Sequence, residues 1–228
     1  MALSLAFGMI AWLAWPRWRR DSGVARMDLW RELSALLEER LRSASPGERR
    51  VFAAGVAERL MSRHEALPED EQAPFTLSLR PLLNSVWEGV LGDSTAFAAV
   101  NRGVAQYMLS EYCHNDGQDG PADADESAAA ATLFAAHTYL FGCHEFAIWT
   151  SGRAVEAVDE HLQHLAEMEE DELSIDADEA LASELRRQLR DLDLIADFSK
   201  ELRYSLMGLP SDTSVRLREE LRTPLSRR

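Results

Sequence analysis

Residues 127–144 read Ser-Ala-Ala-Ala-Ala-Thr-Leu-Phe-Ala-Ala-His-Thr-Tyr-Leu-Phe-Gly-Cys-His, a run without a single Asp, Glu, Lys or Arg. Charged residues make up 28% of this chain, so a run of this length without one is a burial signal. Helices that are apolar on most sides lie inside a protein rather than on its surface. Ala and Leu dominate the run, and both favour helix. Asp123-x-x-Glu126 stands just before it as a capping pattern. The expectation is a buried central helix near 126–150, entered through that cap and kinked at Gly142 or near Gly152.

Amphipathic helices surround this run on both sides. Leu29, Trp30, Leu33, Leu36, Leu37 and Leu41 recur at helical spacing. Ser45-Pro46-Gly47-Glu48 combines a capping box with Pro in the first turn, opening a helix through Val51, Phe52, Val56 and Leu60. Pro68 to Pro74 is an acidic loop. Leu79, Leu82, Leu83, Val86, Trp87, Val90 and Leu91 make a third stripe, closed by Gly92. Phe97, Val100, Val104, Tyr107 and Met108 mark a fourth. After the uncharged run, Glu145 to Leu173 continues as helix and turns acidic at Glu167, Glu169, Glu170, Asp171 and Glu172. Asp176-x-x-Glu179 caps a last long helix whose stripe runs from Leu181 to Leu206 and stops at Gly208 and Pro210. Runs of alternating Val, Ile or Thr are absent, so long strands are hard to place. The fold class is all-α, a single-domain bundle of about seven helices with mostly antiparallel neighbours.

The chain has 228 residues and 46% hydrophobic content, enough for one domain with a substantial core. Its basic residues are almost all Arg, which with the abundant Ala fits a GC-rich bacterial genome. Net charge is −15. Residues 1–26 carry Arg17, Arg19, Arg20 and Arg26 against Asp21, a net +3, which leaves −18 for the remainder. Such a surface repels nucleic-acid backbones and anionic lipid, so a partner recruited by charge would be a basic protein. Cys113 and Cys143 are too few and too far apart for a disulfide framework, and the reading is reduced thiols in the cytoplasm.

Residues 1–26 stand apart from the rest. Met1 to Trp15 is apolar and uncharged, and Pro16-Arg17-Trp18-Arg19-Arg20 follows. The run is short of the roughly 20 apolar residues of a spanning helix, and no small-x-small cleavage site follows it. Two readings stand. One is a start codon assigned too early, with Met27 opening the first amphipathic helix. The other is a short membrane anchor whose arginines hold the domain at the cytoplasmic face of the inner membrane. The expected organisation is segment 1–26, a bundle over 27–210, and a tail or short helix over 211–228.

Three pieces of the chain resemble the YjaG-like family, bacterial proteins of unknown function. The first is Val51-Phe52-Ala53-Ala54-Gly55-Val56-Ala57-Glu58-Arg59-Leu60-Met61, where Leu60 stands between the Glu-Arg pair and Met61. The second is Leu82-Leu83-Asn84-Ser85-Val86-Trp87-Glu88-Gly89-Val90-Leu91, with Trp-Glu late in the helix. The third is the order downstream: an Ala-rich buried helix, an acidic helix, and a long leucine-spaced helix. The resemblance spans about residues 45–208. It implies an all-α fold in a bacterial cytoplasm, and it supplies no active site and no cofactor.

The histidines are where chemistry would sit. His137 and His144 are two turns apart on the stripe with Leu133, Phe134, Leu140, Phe141 and Ile148. Glu111-x-x-His114 places a carboxylate and an imidazole on one helix face, half of the pattern used in di-iron bundles. No second Glu-x-x-His is present. Cys113-His114 and Cys143-His144 together hold two sulfurs and two nitrogens, but adjacent residues on one helix diverge. Asn115 to Glu126 has the outline of a calcium loop, with Asp119, Gly120, Asp123 and Glu126 in register. Gly117, Pro121 and Ala122 depart from that pattern. The chain contains no Gly-x-Ser-x-Gly, P-loop or dinucleotide fingerprint. Two function readings follow. The first is a non-catalytic interaction protein whose acidic face, Glu156 to Glu184 included, takes a basic partner. The second is a metal-dependent helical-bundle enzyme using Glu111, His114, His137 and His144. Under the first, His137 and His144 are core histidines with hydrogen-bonded ring nitrogens.

Overall fold

The structure is a computed structural model that describes residues 27–110, 127–168 and 176–227. Among these, every regular element is helical and no strand occurs. The order is α1 (Met27–Ser43), α2 (Pro46–Glu65), α3 (Pro74–Ser78), α4 (Arg80–Val90), α5 (Ala96–Met108), α6 (Ser127–Phe141), α7 (His144–Met168), α8 (Ala177–Ala196), α9 (Ser199–Leu202), α10 (Ser211–Leu217) and α11 (Thr223–Ser226). The 1–26 segment, Glu111, Cys113, His114 and the calcium-like loop fall outside the described residues.

α2 starts where its sequence says. The Ser45 hydroxyl accepts from the Glu48 amide, and the Glu48 carboxylate accepts from the Ser45 amide at 2.7 Å. From Val51 to Met61 every residue of α2 is buried, including Glu58 and Arg59. The helix is therefore enclosed around its whole circumference. It packs against α6, α7, α4, α8 and α11. α6 is buried from Ser127 through Leu133 and at Ala135, Ala136, Thr138 and Tyr139. One edge stays open, with Phe134, His137 and Leu140 half-buried and Phe141 62% exposed.

Glu58 and Arg59 can be buried because each meets its partner on a different side of α2. Glu58 accepts from the Trp87 indole at 2.9 Å and from Arg80 at 2.7 Å, both on α4. Arg80 also forks onto Glu65 with two bonds of 2.6 Å. Burial works against its charge, but the two carboxylates outweigh that and raise its pKa. Arg59 turns the other way. It lies 2.7 Å from Asp191 on α8 and donates to the Leu225 carbonyl at 3.2 Å. Asp191 approaches off the N–H axis, so charge rather than a well-aimed hydrogen bond holds the pair. Burial raises the Asp191 pKa in spite of Arg59. Beside this pair, Gln188 donates to Glu184 at 2.9 Å and accepts from Ser151 at 2.6 Å, tying α8 to α7.

The turns have local causes in three places. Gly142 adopts φ +68° and donates to the Thr138 carbonyl, ending α6 in the left-handed region that glycine enters freely. Arg49 donates to the carbonyls of Leu41, Arg42 and Gly142, closing the C-terminal ends of α1 and α6 with one side chain. Pro81 has no amide hydrogen to give the Leu77 carbonyl, so the short α3 closes at Ser78 and the stripe from Leu79 lies along α4.

The last long helix differs from its sequence reading. The stripe from Leu181 predicts one helix to Leu206, yet α8 ends at Ala196. Ser199 there donates to the Ala196 carbonyl and also meets Glu48, at the start of α2. The chain then crosses that end of α2 at contact range. A Cβ on Gly47 would stand 2.1 Å from the Leu202 carbonyl oxygen. Beyond Pro210 the chain adds to the core rather than trailing from it. Leu217, Leu221 and Leu225, four residues apart, are each at most 1% exposed. A π turn over Arg218–Arg222 joins α10 to α11, and Arg222 stacks over the Trp87 ring.

Two stability predictions follow from this packing. Arg59→Met removes the cation from a buried carboxylate and lowers the unfolding free energy by about 3–5 kcal/mol. Adding Asp191→Leu to it recovers part of that loss. Denaturant melts of the single and double variants check this, and a double variant no more stable than the single contradicts it. Gly89→Ala would place a methyl 2.4 Å from the Tyr139 ring, and overpacking of this kind costs about 1–3 kcal/mol. Equal midpoints for Gly89→Ala and the parent chain would rule that clash out.

Candidate functional site

The α6–α7 turn carries His137 on one side and His144 on the other. Phe134, His137 and Phe141 share one face of α6 by their three- and four-residue spacing. Phe146 and Trp149 come from the first turns of α7. The His137 ring stacks on Phe141 at 6.0 Å and on Phe146 at 5.1 Å between centroids. Trp149 sets its edge against Phe146 at 5.2 Å and Phe134 at 5.5 Å. The result is a half-exposed aromatic patch with one imidazole in its middle.

His137 and His144, the described members of the candidate set, have separate partners. His137 Nδ1 lies 2.8 Å from the Leu133 carbonyl, which can only accept, so Nδ1 carries the hydrogen. Burial pushes the His137 imidazole below its ordinary value, against the opposing pull of that carbonyl. His144 faces Glu145 at 3.3 Å on the outside of α7. Cys143 is free, half-buried, and makes only a long contact to the Phe141 carbonyl. Among the described residues, no group of three His, Cys, Asp or Glu side chains converges to hold a metal ion. Glu111 and His114 lie outside those residues, so the candidate set is described only at His137 and His144.

One groove of about 420 Å³ lies between α4 and α5. Phe75, Leu79 and Leu82 form its buried base, and Arg102 and Gln106 stand at its exposed edge. Among the described residues its lining reaches Ser110, just past the end of α5. Spacing along the sequence does not reveal it, because the groove joins residues of three helices that no single stripe contains.

The surface is set by where the arginines go. Arg59 and Arg80 hold internal carboxylates, and Arg49 and Arg50 donate to backbone carbonyls, Arg50 to that of Tyr139 at 2.9 Å. Arg218 and Arg222 converge on Glu88. Glu69, Asp70 and Glu71 stand together and exposed in the loop after α2, with no basic partner among the described residues. Glu32, Asp197 and Glu219 are exposed in the same way. No described helix is long and apolar enough to cross a membrane. No family model, curated protein or solved structure matches the chain.

The His137 environment makes a pH prediction. Folding keeps this imidazole neutral, so the unfolded chain binds its proton first as pH falls below about 6.5. Its contribution to stability is complete above that value. The contribution declines below it until the folded imidazole titrates too. His161 on α7 is also held down, by burial, Arg63 and His164. His137→Gln removes one share of the acid limb, so its melting temperature falls less than the parent's between about pH 7 and about pH 5.5. Parallel curves for the two proteins would rule the assignment out.

Proposed function

We propose that this chain is a non-catalytic interaction module of the bacterial cytoplasm whose acidic exterior docks a basic protein. One observation carries the reading: Glu69, Asp70 and Glu71 face water together without a cation among the described residues, while Arg59, Arg80 and Arg49 are drawn into internal pairs and helix ends. Clustered like charges with no local compensation raise the potential outside them and steer oppositely charged partners. The same sign of charge disfavours nucleic acid. On this reading α2 and α6 form the spine of the bundle, and the aromatic edge of α6 belongs to the scaffold. The resemblance to the YjaG-like family, carried by the sequences of α2 and α4, fits an all-α protein without a motif-borne active site.

The test is ionic. Immobilised protein retains a basic partner from lysate at about 50 mM salt and releases it at about 0.5 M, where screening is nearly complete over contact distances. The Glu69→Lys, Asp70→Lys, Glu71→Lys triple variant keeps its melting temperature within about 1 kcal/mol of stability, since all three side chains are exposed. It loses the retained partner. Nothing retained at low salt, or a partner held equally by the triple variant, defeats the proposal.

A further inference from the structure

We propose that His64 is an acid-sensitive latch on the acidic loop that follows α2. The side chain is buried, at 7% exposure, in the last turn of α2. Its Nε2 lies 3.0 Å from the Ala73 backbone nitrogen. A backbone N–H can only donate, so Nε2 must carry a lone pair and the ring must be neutral with its hydrogen on Nδ1. The His64 carbonyl accepts from the Leu67 amide at 3.1 Å. One residue therefore holds the loop at both ends, through its backbone at Leu67 and through its ring at Ala73. The ring contact is the one that a proton can break. Protonation turns Nε2 from acceptor to donor, sets it against the Ala73 N–H, and leaves that amide without a partner.

The surroundings define what is released. Arg63 and Glu65 flank His64 on α2, with Arg80 of α4 clamped on Glu65. Glu69, Asp70 and Glu71 lie within the loop, and α3 brings no ionisable residue. On α7, His161 lies near enough to Arg63 to feel its charge. α6 contributes His137 as its only ionisable group apart from Tyr139, and that ring is engaged at Leu133 near the other end of the helix. Gln72 donates to the carbonyls of Glu65 and Leu67 and does not titrate, so it keeps the first half of the loop in place. Release is thus local to Ala73 and the entry into α3, where the Leu77 amide caps back on the Ala73 carbonyl at 3.1 Å. Any bearing on partner binding rests on the docking role proposed for Glu69, Asp70 and Glu71, but the latch itself does not.

Amide exchange measured by NMR on the full chain tests the latch directly. On acidification from about pH 7.5 to about pH 5, the Ala73 amide loses about tenfold in protection after correction for intrinsic exchange, the scale of one buried hydrogen bond. The Leu83 amide, bonded to the Leu79 carbonyl at 3.0 Å, holds its protection as the internal control. His64→Gln offers an acceptor that does not titrate, and in that variant Ala73 is protected equally at both pH values. A flat Ala73 response in the parent chain overturns the proposal. So does the same loss in His64→Gln, and so does a parallel loss at Leu83, which would mean global loosening. None of these outcomes bears on salt-dependent partner capture at neutral pH, so the two proposals fail separately.

Discussion

The Glu58–Arg59 pair on α2 is the constraint around which the bundle closes. Two opposite charges sit side by side in the most enclosed helix, and neighbours on a helix point about 100° apart. They cannot neutralise each other. Glu58 must find a cation and a donor on one flank, which Arg80 and Trp87 of α4 provide. Arg59 must find an anion on the other, which α8 provides through Asp191. A bundle in which α4 or α8 moved away would leave an ion in the core without a partner. Apolar contacts between these helices tolerate sliding; a buried ion pair does not. Displacing α4 or α8 is therefore costly, and Arg59 reaches the C-terminal segment as well through the Leu225 carbonyl.

The same economy of cations governs the periphery. Arg49 serves three carbonyls on two helix ends, a task that water performs at an exposed terminus. Arg50 beside it reaches the Tyr139 carbonyl and lies over that ring. These contacts bring the ends of α1, α2 and α6 to one point, which is where the α6–α7 turn and its aromatic patch form. A chain with 24 basic residues against 39 acidic ones cannot pair every acid even at full use. Arg59 and Arg80 take Asp191 and Glu58 inward with them and leave the surface balance unchanged, so the acidic excess stays at the surface.

Local features of this fold could be read from the sequence, and long-range ones could not. The capping box at Ser45 and Glu48 and the cap at Asp176 act over three residues, so spacing reveals them. The leucine stripe of α8 is legible for the same reason. Its end is not, because the Ser199 contact that accompanies the bend comes from Glu48, 151 residues earlier. The enclosure of α2 was equally hidden. Glu58 and Arg59 read as surface residues until Asp191, Arg80 and Trp87 are known to face them. α6 misleads in the opposite direction. An uncharged helix reads as buried all round, but Phe134, His137 and Phe141 are aromatic enough to shield one another at a half-open edge. Of the candidate site, spacing placed His137 and His144 near one turn but could not show that each nitrogen faces a different neighbour. His64 drew no attention at all, since a lone histidine at a helix end carries no pattern.

The difference between His64 and His137 shows why partner chemistry outweighs burial in assigning a histidine its role. Both rings are removed from water in large part. The ring of His137 bonds through a nitrogen that keeps its hydrogen in either charge state, so protonation adds a charge to an aromatic patch without breaking that bond. The ring of His64 bonds through the nitrogen that would gain the proton. For His137 the consequence of acid is energetic and spread over the whole fold. For His64 it is geometric and falls on one amide. A regulatory contact needs the second kind, in which a change of protonation removes a particular bond and leaves the frame around it intact. The frame here is the α2–α4 clamp of Glu58, Glu65 and Arg80, whose bonds do not pass through the His64 ring.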